Sequence, residues 1–458
     1  MGILVKNAEI ITAQRRWLGD IRCRQGRIVE LGQGLDPGVG EESLDAGDLL
    51  VFPGGVDPHV HMQLPVAGTV SADDFESGTA AALAGGTTTV IDFVHPQRGE
   101  DFVEALRARR EEAQTAVADY GLHMAVTWWG EQTAEWIERC VREEGIPSFK
   151  IYMAYLETVG LGDQEIIRVL ETTGRLGAVV LVHAEHGPII EHLKEALFAA
   201  GQTGPAAHPR SRPPEAEGEA NARVAMMARH TGAQIYIVHV TCRQALQAIV
   251  EARRYGQRIW AETCPQYLLL DESVYDLPDF ESAAYVIAPP IRASEHQKPL
   301  WRALADGTLQ AVGTDHCPFD LAGQKELGRD DFRLIPGGAA GVEHRLALLY
   351  THGVNPGRID LHRFVDLVST SPARIFGLYP RKGTIEVGSD ADLVLWDPAA
   401  TATVSAATHH HRCDRSIFEG FQTTGAPVTV IASGEIRYHD GTLRVETGAG
   451  RFLSRATG

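Results

Sequence analysis

Residues 148–185, SFKIYMAYLETVGLGDQEIIRVLETTGRLGAVVLVHAE, hold two apolar strand-like runs on either side of a helical stretch. SFKIYMAY and AVVLVHAE are short and continuous, whereas EIIRVLETTGRLG spaces its apolar residues as a helix does. Strands separated by a helix pair in parallel through a crossover. The same alternation continues in both directions. TTTVIDFVH and LHMAVTWW lie upstream, and QIYIVHVT, RIWAETC and LQAVGTDH lie downstream. VEALRARREEAQ, RQALQAIVEARRYG and LHRFVDLV supply further helices; in the last, Leu361, Phe364, Val365 and Val368 share one face. Seven or eight such units predict an α/β fold, a (β/α)8 TIM-like barrel, over residues 54–376.

The flanks have another texture. Residues 1–53 alternate polar and apolar positions between turns, as in DIRCRQGRIVELG, and residues 377–458 do likewise. GTIEV and ADLVLW read as strands joined across Gly388-Ser389-Asp390, and Asp440-Gly441 reads as a hairpin turn. Two β-rich ends around an α/β middle predict one discontinuous β-sandwich domain built from both termini.

The 458 residues carry 60 Asp+Glu against 42 Lys+Arg, a net charge of −18, with 44% hydrophobic and 22% charged residues. That composition suits a globular chain and disfavours a nucleic-acid or anionic membrane partner. The six cysteines are scattered without a C-x-x-C pair, as a reducing compartment allows. MGILVKNAEIITAQRR lacks the layout of a signal peptide, and no apolar run reaches the length of a membrane span. The expectation is a cytoplasmic protein.

Polar residues punctuate the apolar runs at their C-terminal ends: Lys150 after IPSF, His183 after AVVLV, His239 after QIYIV and Asp315 after LQAVGT. In a parallel barrel those ends converge on the face where active sites form. His59 and His61, two apart in VDPHVH, point to one side of an extended backbone, about 6.6 Å apart along it. Four histidines, an aspartate and a lysine gathered there read as a metal centre. Lysine joins such a set once its neutral amine captures CO₂, giving an anionic carbamate (N6-carboxylysine) with two oxygen donors.

PGGVDPHVHMQLP, VSADDFESGTAAALAGGTTTVIDF, SFKIYMAY, VHAEHG, IVHVTC, ETCPQYLLLD, GTDHCPFD, QKELGRDDF and FGLYPRKGTIEVGSDADLVLWDP follow one another along nearly the whole chain. Together they resemble the cyclic amidohydrolases, in particular the bacterial hydantoinase/dihydropyrimidinase family. The resemblance implies a homotetramer with two Zn²⁺ per chain, Mn²⁺ or Co²⁺ being alternatives. His59 and His61 would bind one metal, His183 and His239 the other, with carboxylated Lys150 bridging and Asp315 completing the first site. It further implies hydrolysis of the cyclic amide bond of hydantoins or dihydropyrimidines to N-carbamoyl amino acids. A metal-bridging hydroxide would attack, with Asp315 as general base and acid and Tyr155 donating to the oxyanion. Dihydroorotases carry an arginine where this chain has Gln63, which favours a neutral ring.

Ring-amide recognition maps onto backbone groups near Ala288 and Gly337, where serine and asparagine are usual. The glycines at 337 and 338 loosen that loop on this reading. Leu64, Tyr152, Met153 and Val159 match the loops around the ring substituent. His344 stands where an aspartate is usual, and no role is read for it. His409-His410-His411 reads as a solvated loop of the sandwich, Cys317 as wall packing, and His95, His123 and His186 as lying outside the ligand set. Two other readings remain: an allantoinase-type enzyme, and a non-catalytic dihydropyrimidinase-like scaffold.

Overall fold

In the computed structural model, which describes residues 2–457, eight parallel strands pair neighbour to neighbour in chain order. They are Gly55–Asp57, Thr87–Val94, Asp119–Ala125, Ser148–Tyr152, Val179–His183, Gln234–Ile237, Ile259–Thr263 and Ala311–Val312. Helices intervene, and Asp163–Leu176 shows why they form. Glu165 accepts from the Gly162 N–H at 2.9 Å at its start, and Gly177 ends it at φ 69°. Between these caps Ile166, Val169, Leu170 and Thr173 bury one stripe.

Alternation along each strand sorts side chains between two cores. Val90, Val94, Phe149, Ile151, Val180 and Val182 pack outward against the helices. Ile91, Phe93, Val179, Leu181, Tyr236 and Val238 fill a separate cluster inside the barrel. Lys150 and His183, out of step with the outward set, are therefore directed inward.

The barrel closes with little ladder between first and last strands. A parallel bridge joins Val60 to His316. Asp57 receives the Thr314 hydroxyl at 2.6 Å, and Arg345 Nη1 donates to the carbonyls of both Val56 (3.0 Å) and Val312 (2.9 Å). A buried guanidinium thus satisfies backbone acceptors on both sides of the seam, where unpaired carbonyls would be costly.

Strands from both ends of the chain merge into one nine-stranded sheet. Leu50–Pro53 is its hinge strand: Leu50 and Val51 pair in parallel with Glu9 and Ile10, while Leu50–Pro53 runs antiparallel to Leu393–Trp396. Ile10, Ile21, Val51, Leu393, Leu395 and Ile431 give it a core of its own. Asp440 (φ 45°) and Gly441 (φ 79°) turn the expected hairpin between Glu435–His439 and Thr442–Leu443. GTIEV, expected as a strand, is irregular; only Asp390 beyond it makes an isolated bridge, to Arg27. Its backbone is used differently, since Thr370 Oγ1 donates to the Gly383 carbonyl and Gly388 N–H to the Ile28 carbonyl. Lys382 joins sheet to barrel, its Nζ lying 2.6 Å from Asp119, 3.1 Å from Asp390 and 2.5 Å from Asp392. No helix among the described residues is long and apolar enough to cross a membrane.

Candidate metal centre

The first barrel strand leads into His59-Val60-His61, held extended by the Val60–His316 bridge, and the two rings stand 5.1 Å apart. Asp315 returns beside them: its N–H donates to the His59 carbonyl at 2.9 Å, and its Oδ1 lies 3.1 Å from Nε2 of both histidines. His183 ends its strand facing inward. Strict alternation after Tyr236 and Val238 would send His239 outward, but its φ of 38° turns the chain and brings its Nε2 to 3.0 Å from His183 Nδ1. His59 and His239 rings, 5.6 Å apart, close the ring of donors. Gln63, Tyr155 and Asp315 also take positive φ, at 50°, 60° and 54°. Such backbone is uncommon for non-glycine residues and gathers at functional sites.

The polar partners of these rings test whether a cation fits. His59 Nδ1 lies 2.6 Å from Glu262 Oε1, and Glu262 Oε2 accepts from the Tyr236 hydroxyl at 2.8 Å. With the proton on Nδ1, His59 Nε2 presents a bare lone pair toward the Asp315 carboxylate, and it has no hydrogen-bond partner. His183 repeats the pattern: Nε2 donates to Glu185 at 2.8 Å, so its Nδ1 lone pair faces His239. His59 Nε2 and the Asp315 carboxylate are thus two buried electron donors facing each other, and a cation between them turns that repulsion into ligation. His183 Nδ1 offers a further lone pair beside His239, and a carboxylate behind a histidine is the usual support of a metal ligand. The donor set fits a divalent metal.

Lys150 lies in the same space, 1% exposed, its Nζ 5.2 Å from the Phe93 ring and 5.4 Å from that of Tyr152. Burial lowers its pKa to about 8, against the pull of Asp315 and Glu262, so the neutral amine is accessible near neutral pH. The expected position at a strand tip is off by two residues, because the strand continues to Tyr152. Tyr155 leads the next loop, and its hydroxyl accepts from Arg212 Nη2 at 3.2 Å. Burial lifts the Tyr155 hydroxyl to about 12, so it keeps its proton. Burial also opposes the charge on Glu185, yet Arg212 and His183 hold it at about 2.

Among the expected ring-contacting residues, Leu64, Tyr152, Val159 and Ala288 are half-buried and Gly337 is exposed, whereas Met153, 2% exposed, lies in the core. The 337–338 loop is tied down. Gly338 N–H donates to the Val286 carbonyl at 3.0 Å, and Lys325 Nζ donates to Val286, Pro336 and Gly338 carbonyls at 2.9, 2.7 and 2.8 Å. Gly338 needs its glycine, since φ is 157° and a Cβ would meet the Cys317 carbonyl at 2.2 Å. Cys317 is buried, which pushes its thiol pKa up and away from a nucleophilic thiolate. His95 reaches Tyr152 (2.8 Å), His123 lies between Ser148 and the Pro58 carbonyl, and His186 caps a helix.

A further expectation fails. His409-His410-His411 is not a solvated loop of the terminal sheet: His411 is buried 5.1 Å from the His316 ring, and His410 bonds Glu343. Asp73 draws the segment in by accepting from Arg412 N–H (2.9 Å) and from His316 (3.1 Å). His344, left without a role, lies beside it, 5.6 Å from the His411 ring. Sequence reading also missed Glu262, Glu185 and Arg212. ETC and HAE place both glutamates at strand ends, a signal equal to that of the histidines, but Arg212 lies in a loop with no such signal.

A profile of the amidohydrolase family matches residues 50–437. The chain is 46% identical to the D-hydantoinase of Geobacillus stearothermophilus over 454 residues, covering 99% of this chain and 96% of that one. It is 42% identical to the D-hydantoinase of Ralstonia pickettii over 456 residues, 99% of each. The crystal structure of dihydropyrimidinase from Brevibacillus agri superposes with a TM-score of 0.98 at 42% identity, covering 100% of this chain and 99% of that one. Barrel, converging histidines and these likenesses agree: the chain belongs to the amidohydrolase family, among the hydantoinases and dihydropyrimidinases.

Proposed function

We propose that this chain hydrolyses the ring amide of hydantoins and dihydropyrimidines, releasing N-carbamoyl amino acids. The observation that carries the reading is the convergence of two donor groups, His59/His61/Asp315 and His183/His239, with buried Lys150 in the same space. His59, His61 and Asp315 would hold one divalent ion and His183 and His239 a second, two Zn²⁺ or in their place Mn²⁺ or Co²⁺. Lys150, as its carbamate, would bridge them. Bound there, the ions supply Lewis acidity and make water nucleophilic near neutral pH.

The chain's own groups do the rest. Asp315 accepts the proton of the attacking water and returns it to the departing ring nitrogen. Tyr155 donates to the former carbonyl oxygen as charge develops, and Arg212 leaves it free to do so by donating to, rather than accepting from, its hydroxyl. Backbone near Ala288 and Gly337 orients the ring amide, and Leu64, Tyr152 and Val159 border the substituent. Gln63, uncharged, favours a neutral ring over a carboxylated one. The active protein is read as a homotetramer, which light scattering checks.

Side-by-side hydrolysis of dihydrouracil, hydantoin, both enantiomers of a 5-substituted hydantoin, and allantoin tests the reading. Turnover of the first classes is expected. Allantoin as the sole substrate would shift it to an allantoinase, and no turnover by metal-loaded protein would leave a scaffold.

A further inference from the structure

We propose that His409, His411 and Cys413 form a separate zinc-type site that fastens the 409–415 segment behind the catalytic face. A ligand atom from each lies within 4.8 Å of the other two. His409 Nε2 lies 3.0 Å from the Cys413 carbonyl, which only accepts, so Nε2 carries the proton and His409 Nδ1 is a lone pair. His411 Nδ1 faces that lone pair at 3.3 Å. At Zn–N of about 2.0–2.1 Å and tetrahedral angles, two nitrogens on one ion stand about 3.3–3.4 Å apart.

The other nitrogen of His411 sharpens the case. Nε2 is buried without a hydrogen-bond partner, and Glu343 Oε2 lies 4.0 Å away. With its proton on Nδ1, His411 would aim a buried lone pair toward a carboxylate. With its proton on Nε2, it faces Glu343 favourably, and two lone pairs meet at the Nδ1 atoms. A cation between them resolves both ends at once, with Glu343 as the carboxylate behind a ligand histidine. Cys413, buried and two residues beyond His411, adds the soft donor that favours zinc over magnesium or calcium, and ligation releases its thiol proton to solvent.

Such an ion would have mechanical work. The segment is held by Arg412 N–H on Asp73, and by Asp414 accepting from Leu321 and Ala322 N–H at 2.7 and 3.1 Å. Asp73 in turn holds His316, the neighbour of Asp315.

Cobalt distinguishes this site from the barrel centre, whose donors are all nitrogen and oxygen. Protein stripped of metal and reloaded with Co²⁺ is expected to show a thiolate-to-cobalt charge-transfer band in the near ultraviolet. Cys413→Ser should lose the band and retain about one metal fewer per chain, as should His411→Ala. Wild-type protein without the band, with metal content equal to that of Cys413→Ser, would overturn the proposal and leave a proton shared by the two imidazoles. The wild-type spectrum decides even if a variant fails to fold, and it is independent of turnover.

Discussion

Arg212 donates to the hydroxyl of Tyr155 at 3.2 Å while its other nitrogen pairs with Glu185, which in turn holds His183. One buried guanidinium therefore connects the proposed oxyanion donor to a proposed metal ligand. Tyr155→Phe should lower kcat by about 10²–10³-fold with a smaller change in KM, the loss of one oxyanion donor. Arg212→Met should lower kcat in the same direction, and the double variant should fall short of the product of the single losses. Steady-state kinetics on hydantoin checks this; strictly multiplicative losses would show that Arg212 does not act through Tyr155.

Glu262 fixes the protonated nitrogen of His59 at 2.6 Å. Glu262→Gln is expected to weaken metal retention about 10–100-fold, measured by competition with a chelator. Lys150→Ala should lose metal and activity together. Full activity in that variant would remove the carbamate from the mechanism.

Lys382 sits among Asp119, Asp390 and Asp392 where the terminal sheet meets the barrel. Lys382→Met leaves buried Asp392 without its cation and Asp119 and Asp390 with arginines alone, and should cost about 3–5 kcal/mol of stability, read from denaturant unfolding.

The same network sets an acid limit. Burial alone would raise Asp119 and Asp390, but Lys382 and Arg451 hold both carboxyls below their ordinary range. The unfolded chain then binds protons first as pH falls, so the network's stabilisation is complete above the ordinary carboxylate pKa of about 4 and declines below it. Melting temperature should drop below about pH 4, and the drop should be shallower in Lys382→Met.

Lys325 donates to three carbonyls around the Gly337-Gly338 loop. Lys325→Met leaves these acceptors unpaired at about 1–3 kcal/mol each where water cannot reach them. The expected signature is a raised KM for the ring substrate at retained metal content. An unchanged KM would separate this loop from ring binding.

The βαβ alternation from Thr87 to Val312 and the polar ends of its strands are legible from sequence, because a parallel barrel demands apolar runs with inward parity. Lys150, His183 and Asp315 are read from the ends of such runs, and His59 and His61 from their spacing of two in an extended segment. His239 carries the same strand-end signal, but its parity sends it outward, and only a positive φ in the folded chain turns it toward His183. Nor can local pattern show that His411 passes behind His316, or that Arg212 reaches Tyr155 across 57 residues. Periodicity records which face a residue takes on its own element. Which distant groups share a proton, a carboxylate or an ion is decided by how the elements pack, and that is set by tertiary structure.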